Sequence, residues 1–327
     1  MRLPKTGMGT FGSDKYPAGV VASAVESALG AGYRLFDCAS VYGNEREIGE
    51  VFGGAYAKGK VRRGDVFIMS KLWNDAHGRA AESCEKSISD LKADYLDVYF
   101  MHWPFPNTHA AGCGGDSRDK DSRPFIIEEF LRTWSDMEKL KKRGLVREIA
   151  LSNMTVAKLE AVWDSMDTKP YALECELHPS FQQRELTAFC KEKGIVNVGY
   201  CPLGSPNRPQ RDVAEGDIAD TAMPQVREIA EKRGVSPAEI CIAWAVNSGI
   251  IPIPFSSNPA HIACNLKAAD IELTPGEMRL LGGAECNNRL IKGQVFLWNG
   301  SESWHDLWDE DGRLAGWEKR GNTWKKI

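Results

Sequence analysis

Short apolar segments alternate with amphipathic helical segments along almost the whole chain, and this alternation limits the fold more than any other feature. Counting the short run that ends at GMGTF, eight candidate strands are each followed by helical sequence. The later seven lie in RLFDCA, DVFIMSKLW, DYLDVYFMHWP, LVREIALSN, YALECELHP, IVNVGYCPLG and IIPIPFSS. Strands that alternate with helices of this length form parallel β-α units. Eight such units match a closed (β/α)8 TIM barrel better than an open sheet. We therefore predict an α/β fold with a single barrel domain over residues 1–327.

Two segments stand outside this alternation. A Gly- and Asp-rich loop at residues 106–124 is too polar to pack in a core. A tail from about residue 284 to residue 327 carries five of the ten tryptophans. We expect both segments to extend from the C-terminal rim of the barrel.

The segment GMGTFG, which begins at Gly7, matches the dinucleotide fingerprint G-x-G-x-x-G. That fingerprint needs a preceding strand and a helix N-terminus that receives the pyrophosphate. Only six residues precede Gly7, Pro4 is among them, and the acid at the expected distance, Glu26, lies in a helical pattern. A Rossmann fold is therefore disfavoured, and the segment is assigned to the first strand and loop of the barrel.

Composition excludes several classes of partner. The 41 basic and 45 acidic residues give a net charge of −4, which does not indicate a nucleic-acid partner. No apolar run approaches the roughly 20 residues of a membrane span, and the N-terminus does not resemble a signal peptide. The nine cysteines are odd in number and lack C-x-x-C spacing, so we expect free thiols, no metal site and a cytoplasmic location.

Four polar side chains fall at the C-terminal ends of consecutive candidate strands, where barrels of this kind carry their chemistry. They are Asp37 and Tyr42 after the second strand, Lys71 at the end of the third, and His102 at the end of the fourth. Hydride transfer to a carbonyl creates an alkoxide that must be protonated, and a tyrosine can donate that proton. A neighbouring lysine stabilises the phenolate, an aspartate fixes the lysine, and a histidine can orient the carbonyl oxygen.

Each of these residues also has a structural explanation when taken singly. Asp37 could cap a strand end, Lys71 could pair with any acid, and His102 could be a hydrogen-bonded core histidine. Because all four fall at the same rim on consecutive strands, we favour a shared catalytic role.

The segments FDCASVYGNEREIG, SKLW, YFMHWP, LSN, ELHP, YCPLG and IPIPFSSNPAHIACN resemble the aldo-keto reductase family. The resemblance covers roughly residues 4 to 290. It implies a (β/α)8 barrel that binds a nicotinamide dinucleotide and reversibly reduces aldehydes or ketones, with sugar aldehydes among the candidates. In the family pattern Tyr42 is the general acid/base, Lys71 and Asp37 tune it, and His102 orients the carbonyl.

The resemblance also implies cofactor and substrate contacts. Those assigned to the cofactor are Thr10, Ser152, Asn153, Glu174, Tyr200, Leu203, Ser205, Ser256, Ser257, His261 and Asn265. Those assigned to the substrate pocket are Phe11, Trp73 and Trp103.

Four positions depart from the family pattern. Glu174 replaces the usual Gln at the carboxamide, Phe255 replaces a Lys, His261 replaces an Arg, and Cys264 replaces a Glu. The missing Lys and Arg are the groups expected to bind the 2′-phosphate of NADP, and charge-assisted contacts to phosphate are the strong ones. We therefore expect NADP(H) or NAD(H) as cofactor, with weakened discrimination between them.

Two other functions remain as alternatives. One is a non-catalytic, cofactor-binding regulatory subunit, against which the intact four-residue set argues. The other is a barrel hydrolase that uses Asp37 and Glu174 as paired carboxylates or His102 as a metal ligand, although no second histidine lies at ligand spacing. The expected partner is a small carbonyl or alcohol, and the expected state is a monomer or weak homo-oligomer.

Overall fold

The computed structural model describes residues 1–12, 15–110, 113, 115, 118–206, 208–314, 316–321 and 323–326. Its centre is a sheet of eight parallel strands whose spatial order is their order in the chain. The strands are β1 (Met8–Gly9), β2 (Leu35–Asp37), β3 (Phe67–Leu72), β4 (Leu96–Met101), β5 (Val146–Ser152), β6 (Ala172–Glu176), β7 (Val196–Tyr200) and β8 (Ile250–Pro252).

Helices follow every strand of this sheet. They are α1 (Ala18–Ala31), α2 (Glu45–Ala57), α3 (Ala80–Asp90), α4 (Ile127–Lys142), α5 (Val156–Trp163), α6 (Arg184–Lys193), α7 (Pro224–Arg233), α8 (Pro237–Asn247), α9 (Pro259–Ala268) and α10 (Pro275–Gly282). Both α7 and α8 lie between β7 and β8. The predicted (β/α)8 architecture is confirmed. No helix in the described ranges combines the length and apolarity that crossing a membrane requires.

The glycines near the N-terminus close the barrel. The N–H groups of Gly7 and Gly9 donate to the carbonyl oxygens of Pro252 and Pro254 at 3.0 and 3.1 Å. A Cβ at position 9 would lie 2.7 Å from the Ile253 carbonyl oxygen, so only glycine lets the first strand approach the last this closely. The GMGTFG segment therefore joins the first strand to the last strand of the barrel, which agrees with its assignment to the first strand and loop.

The alternation of strand side chains separates an apolar layer inside the barrel from a polar layer at its rim. The inward cluster contains Leu3, Leu35, Met69, Val98, Phe100, Ala150, Ala172, Val198 and Ile253. Two residues further along their strands, the next inward positions are Asp37, Lys71, Ser152, Glu174 and Tyr200. The apolar layer thus forms the floor of the polar site and keeps water from reaching it from below.

The tail packs on the segment that follows β4. Trp103 and Phe105 form a buried cluster with Val295, Phe296, Leu297, Leu307 and Trp308 of the tail. Beyond this cluster an antiparallel hairpin of β9 (Trp317–Arg320) and β10 (Thr323–Lys326) was not anticipated from the sequence. Within the predicted loop 106–124, the Asn107 amide donates to the Phe296 carbonyl oxygen at 2.9 Å, whereas residues 111, 112, 114, 116 and 117 lie outside the described residues.

Gly9→Ala tests the closure of the barrel. Because the added Cβ would clash with backbone, we expect the free energy of unfolding to fall by about 1–3 kcal/mol in chemical denaturation. Gly30→Ala in α1 is the control: no atom lies within 4 Å of its added Cβ, and alanine favours a helix. Equal stability of the two variants would show that closure does not depend on Gly9.

Candidate active site

A buried ion pair joins β2 and β3 at the rim. Both carboxylate oxygens of Asp37 accept hydrogen bonds from Lys71 Nζ at 2.6 Å, and the Cys38 carbonyl oxygen accepts a third at 3.1 Å. Lys71 is fully buried and Asp37 is 2% exposed. Burial alone would lower the pKa of Lys71, but the charges of Asp37 and Glu174 raise it well above its usual value. At neutral pH the site therefore contains a charged ammonium held in a fixed position.

Tyr42 lies beside this ammonium. It ends a 3-10 turn, Ser40–Tyr42, that follows β2, and its hydroxyl is 3.4 Å from Lys71 Nζ. The Ser40 hydroxyl donates to the Lys71 carbonyl oxygen at 3.2 Å, which ties this turn to β3. Burial raises the pKa of Tyr42 above its usual value and the charge of Lys71 opposes that rise. The hydroxyl is thus protonated at neutral pH, as a proton donor must be.

His102 completes the predicted group of four. It follows β4, and its ring lies 5.8 Å from the ring of Tyr42 and 5.0 Å from that of Trp73, edge to face in both cases. Burial, and then the charge of Lys71, hold the pKa of His102 well below its usual value. The imidazole is therefore neutral at pH 7, which suits it to orient a carbonyl oxygen by a hydrogen bond rather than to protonate it.

Glu174 places a second carboxyl group on the same ammonium. Its Oε1 is 3.3 Å from Lys71 Nζ, and its buried Oε2 has no hydrogen-bond partner among the described residues. Burial, and then the negative charge of Asp37, raise the pKa of Glu174 to about 8. Because Asp37 holds Lys71 with both oxygens at shorter distances, Glu174 is the carboxyl group that keeps its proton at neutral pH.

The residues assigned to the nicotinamide end lie together beside this cluster. The Asn153 side-chain amide donates to the His102 carbonyl oxygen at 2.9 Å and to the Ser152 hydroxyl at 3.2 Å. The Tyr200 hydroxyl donates to Asn153 Oδ1 at 2.8 Å, and the Asn153 N–H donates to the Glu174 carbonyl oxygen at 3.0 Å. Thr10 is fully buried, and its hydroxyl donates to the Asp37 carbonyl oxygen at 2.8 Å.

The remaining cofactor candidates lie on the loops after β7 and β8. Leu203 and Ser205 follow β7, where Cys201, Gly204 and Ser205 all have positive φ angles. Ser256 and Ser257 directly precede Asn258, the N-cap of α9, and His261 and Asn265 lie within the helix. Asn258 caps this helix by accepting from the Ala260 N–H at 2.9 Å, and the Ser256 hydroxyl accepts from the Asn258 N–H at 3.1 Å. His261 is exposed and Asn265 is buried.

Comparison with known proteins identifies the family of this chain. A family model described as the aldo/keto reductase family matches residues 5–284. The chain belongs to this family. It is 38% identical over 312 residues to an aldo/keto reductase of Synechocystis sp., with 94% of each chain covered.

Vertebrate proteins show the same similarity. The aldo-keto reductase family 1 member A1 proteins of Xenopus tropicalis and Homo sapiens are 38% and 37% identical to the chain, with 89% of this chain and 88% of each relative covered. The resemblance stated from the motifs is confirmed. This aldo/keto reductase is therefore an oxidoreductase of a family that reduces carbonyl compounds with nicotinamide dinucleotides.

Two of the three predicted pocket residues of this aldo/keto reductase lie beside the catalytic candidates, and the third packs against the tail. Phe11 lies 5.1 Å from the Tyr42 ring, and Trp73 lies beside His102, so these two aromatic rings flank the catalytic candidates. Trp103 is 6% exposed and packs on Phe296 and Trp308 at 4.8 and 5.6 Å. The ring of Phe296 is 6.0 Å from that of Trp73, so Trp103 is linked to Trp73 through Phe296.

Two buried residues that sequence reasoning missed hold the turn that carries Tyr42. Glu45, in the first turn of α2, accepts from the hydroxyls of Ser70 at 2.5 Å and Ser87 at 2.8 Å. The Asn44 amide donates to the Thr10 carbonyl oxygen at 2.8 Å. The motif FDCASVYGNEREIG contains both residues as the pair NE, separated from the turn by Gly43, but their partners on other elements gave no local signal.

A second missed group joins three segments of this aldo/keto reductase around a buried histidine. His178 lies 2.9 Å from Glu176 through Nε2 and 2.9 Å from Asp220 through Nδ1. Glu176 also accepts from the N–H groups of Leu290 and Ile291 at 2.7 and 2.9 Å. Burial would lower the pKa of His178, but Asp220 and Glu176 raise it to about 9. The end of β6 is thereby linked to the tail and to the loop after β7.

His178→Gln should remove a pH-dependent part of the stability. The folded state binds this proton more tightly than the unfolded chain, where a histidine pKa is about 6.5. The stabilisation is therefore complete below about pH 6.5 and is lost as the pH rises through about 9.

We expect the difference in thermal midpoint between the native protein and His178→Gln to be largest near pH 6 and to shrink toward pH 9.5. The exposed His261→Gln is the control and should follow the native profile. Parallel profiles for the native protein and His178→Gln would contradict a charged His178.

Proposed function

We propose that the protein reduces the carbonyl group of aldehydes or ketones to an alcohol, with Tyr42 as the proton donor. The observation that carries this proposal is the position of Lys71 Nζ, which is bound by Asp37 at 2.6 Å and lies 3.4 Å from the Tyr42 hydroxyl. A protonated phenol next to a fixed cation can lose its proton when a stronger base, an alkoxide, forms beside it. The reverse reaction uses the same groups.

Each residue of the group then has one task. Tyr42 passes its proton to the substrate oxygen, and the Lys71 ammonium stabilises the phenolate that remains. Asp37 keeps Lys71 charged and in place. Neutral His102 donates a hydrogen bond to the carbonyl oxygen and orients it. A positioned proton donor such as Tyr42 contributes about 10²–10⁴ in rate.

The residues at the rim fit a nicotinamide dinucleotide, which when bound supplies the hydride. In this proposal Ser152, Asn153 and Glu174 hold the carboxamide, and the unpartnered Glu174 Oε2 supports an additional hydrogen-bonding ligand there. Tyr200 packs on the nicotinamide ring, with Thr10 near it. Leu203 and Ser205 contact the pyrophosphate, and Ser256, Ser257, His261 and Asn265 contact the adenosine end.

We further propose that the protein discriminates weakly between NADP(H) and NAD(H). Phe255 cannot bind a phosphate by charge, and its ring lies 5.6 Å from that of Tyr16. His261 is exposed, and an imidazole is not a permanent cation as a guanidinium is. The capped start of α9 still offers N–H groups and the hydroxyls of Ser256 and Ser257 to a phosphate or a ribose.

The aromatic rings near Tyr42 and His102 support apolar or aromatic carbonyl substrates, and sugar aldehydes remain candidates because rings also pack on sugars. Nine free cysteines support a reducing, cytoplasmic location. We propose a monomer or weak homo-oligomer.

Tyr42→Phe is the direct test of the proton donor. We expect turnover with an aldehyde panel to fall about 10²–10⁴-fold because only the hydroxyl is lost. Cofactor affinity, measured by fluorescence titration, should stay nearly unchanged. The readout of turnover is the loss of the near-ultraviolet absorbance of the reduced cofactor.

Tyr171→Phe is the matched control, since its hydroxyl donates to the Met1 carbonyl oxygen at the other end of the barrel. Retained turnover in Tyr42→Phe would exclude Tyr42 as the donor. Cofactor binding without turnover in the native protein would instead favour a regulatory subunit.

Michaelis constants for both cofactors test the proposed weak discrimination. The double variant Phe255→Lys/His261→Arg should lower the constant for NADP(H) about tenfold or more, as expected for new charge-assisted hydrogen bonds, and leave NAD(H) unchanged. Phe255→Leu is the neutral control. A strong NADP(H) preference in the native protein would show that other residues bind the phosphate.

A further inference from the structure

One ammonium in this site serves two buried carboxyl groups. Lys71 Nζ contacts both oxygens of Asp37 at 2.6 Å and Glu174 Oε1 at 3.3 Å, and all three side chains are at most 3% exposed. With both carboxylates ionised, the cluster would carry an uncompensated negative charge in a water-poor interior. Such a charge is costly, so one carboxyl group keeps a proton.

The groups around Glu174 determine which carboxyl group that is. Asp37 from β2, Lys71 from β3 and Tyr42 from the turn after β2 are the titratable groups that act on it. On the flanking strands its register partners are Ser152 and Val198, which carry no charge. Glu174 thus shares Lys71 with Asp37, which already binds the ammonium with both carboxylate oxygens. This agrees with a pKa of Glu174 above its usual value.

Lys71 also contacts the two groups that can hold a transferable proton. Its Nζ is 3.3 Å from Glu174 Oε1 and 3.4 Å from the Tyr42 hydroxyl. The contact with Tyr42 is a hydrogen bond from the ammonium to the hydroxyl, and the contact with Glu174 is at ion-pair distance. Lys71 is therefore in contact with both Glu174 and Tyr42.

We propose that Glu174 is a proton store that restores Tyr42 through Lys71 after each reduction, an inference that rests on the proposed role of Tyr42. When Tyr42 has given its proton to the product, a Lys71 N–H bond breaks and its proton forms the new Tyr42 O–H bond. The Glu174 O–H bond breaks in turn and its proton refills Lys71. Glu174 is left as a carboxylate, and one proton from solvent restores it when product leaves. No electrons move in these steps. The two internal transfers leave the total charge of the four side chains unchanged, and the proton from solvent then raises it by one unit, to its value before the reduction.

A direct test measures the stored proton in the free chain, without cofactor or substrate. Infrared spectroscopy distinguishes a protonated carboxyl group from a carboxylate. We expect the native protein to show a protonated-carboxyl band at pH 7 that disappears as the pH rises through about 8. We expect Glu174→Gln to lack this band at pH 7. Glu45, another buried carboxyl group with a raised pKa, contributes equally to both spectra. Glu148→Gln, on β5 and paired with Lys141, is the matched control and should lose no such band. Identical native and Glu174→Gln spectra would overturn the proposal.

The pH profile of reductase turnover tests the transfer itself. In the native protein turnover should fall as the pH rises through about 8, because Glu174 is then already deprotonated before the reaction begins. Glu174→Gln should turn over about tenfold more slowly at pH 7 and show no such fall. A variant that stays as fast as the native protein at pH 7 would overturn the store, as would an unchanged fall near pH 8. Failure of Tyr42 as the donor would appear separately as turnover in Tyr42→Phe, with the infrared result unaffected.

Discussion

The contact between the Lys71 ammonium and the Asp37 carboxylate is the interaction on which the arrangement of the site depends. Removing two charges from water costs several kcal/mol each, so such a pair persists only where its geometry is fixed. Here two adjacent strands of a closed barrel supply that geometry, and the apolar floor beneath it strengthens the attraction by excluding water. Tyr42 and Glu174 both lie beside this cation, but burial raises the pKa of each group more than the charge of Lys71 lowers it, so both keep their protons at neutral pH.

The fold and the central side chains could be predicted because they depend on local patterns. Short apolar runs identified the strands, and amphipathic helical sequence identified the crossovers. The ends of consecutive strands placed Asp37, Lys71 and His102 at one rim. The glycines at the N-terminus match the spacing of the dinucleotide fingerprint, but the sequence before them is too short for the strand that the fingerprint needs. They could therefore be assigned to the barrel. Their contact with the last strand supplies the physical reason for their presence.

Other features depend on contacts between distant segments and left no local pattern. The partners of Glu45 are 25 and 42 residues away along the chain. Asp220 accepts a hydrogen bond from the N–H of Ser180, which is 40 residues away. The direction of the Tyr42 pKa is a further case. Sequence reasoning anticipated that Lys71 would lower it, and the lysine does act in that direction, but burial outweighs it. Only a folded environment gives the balance of those two effects.

The anchoring of Leu290 and Ile291 by Glu176 has a consequence for how the substrate mouth can change. The tail is fastened to the end of β6 before it reaches Phe296, the ring that neighbours Trp73. Insertions, deletions or exchanged aromatic residues beyond that fastening alter the walls of the mouth while the strand that bears Glu174 stays in register. The reactive centre and the surface that selects its substrates are thus separately variable parts of one chain.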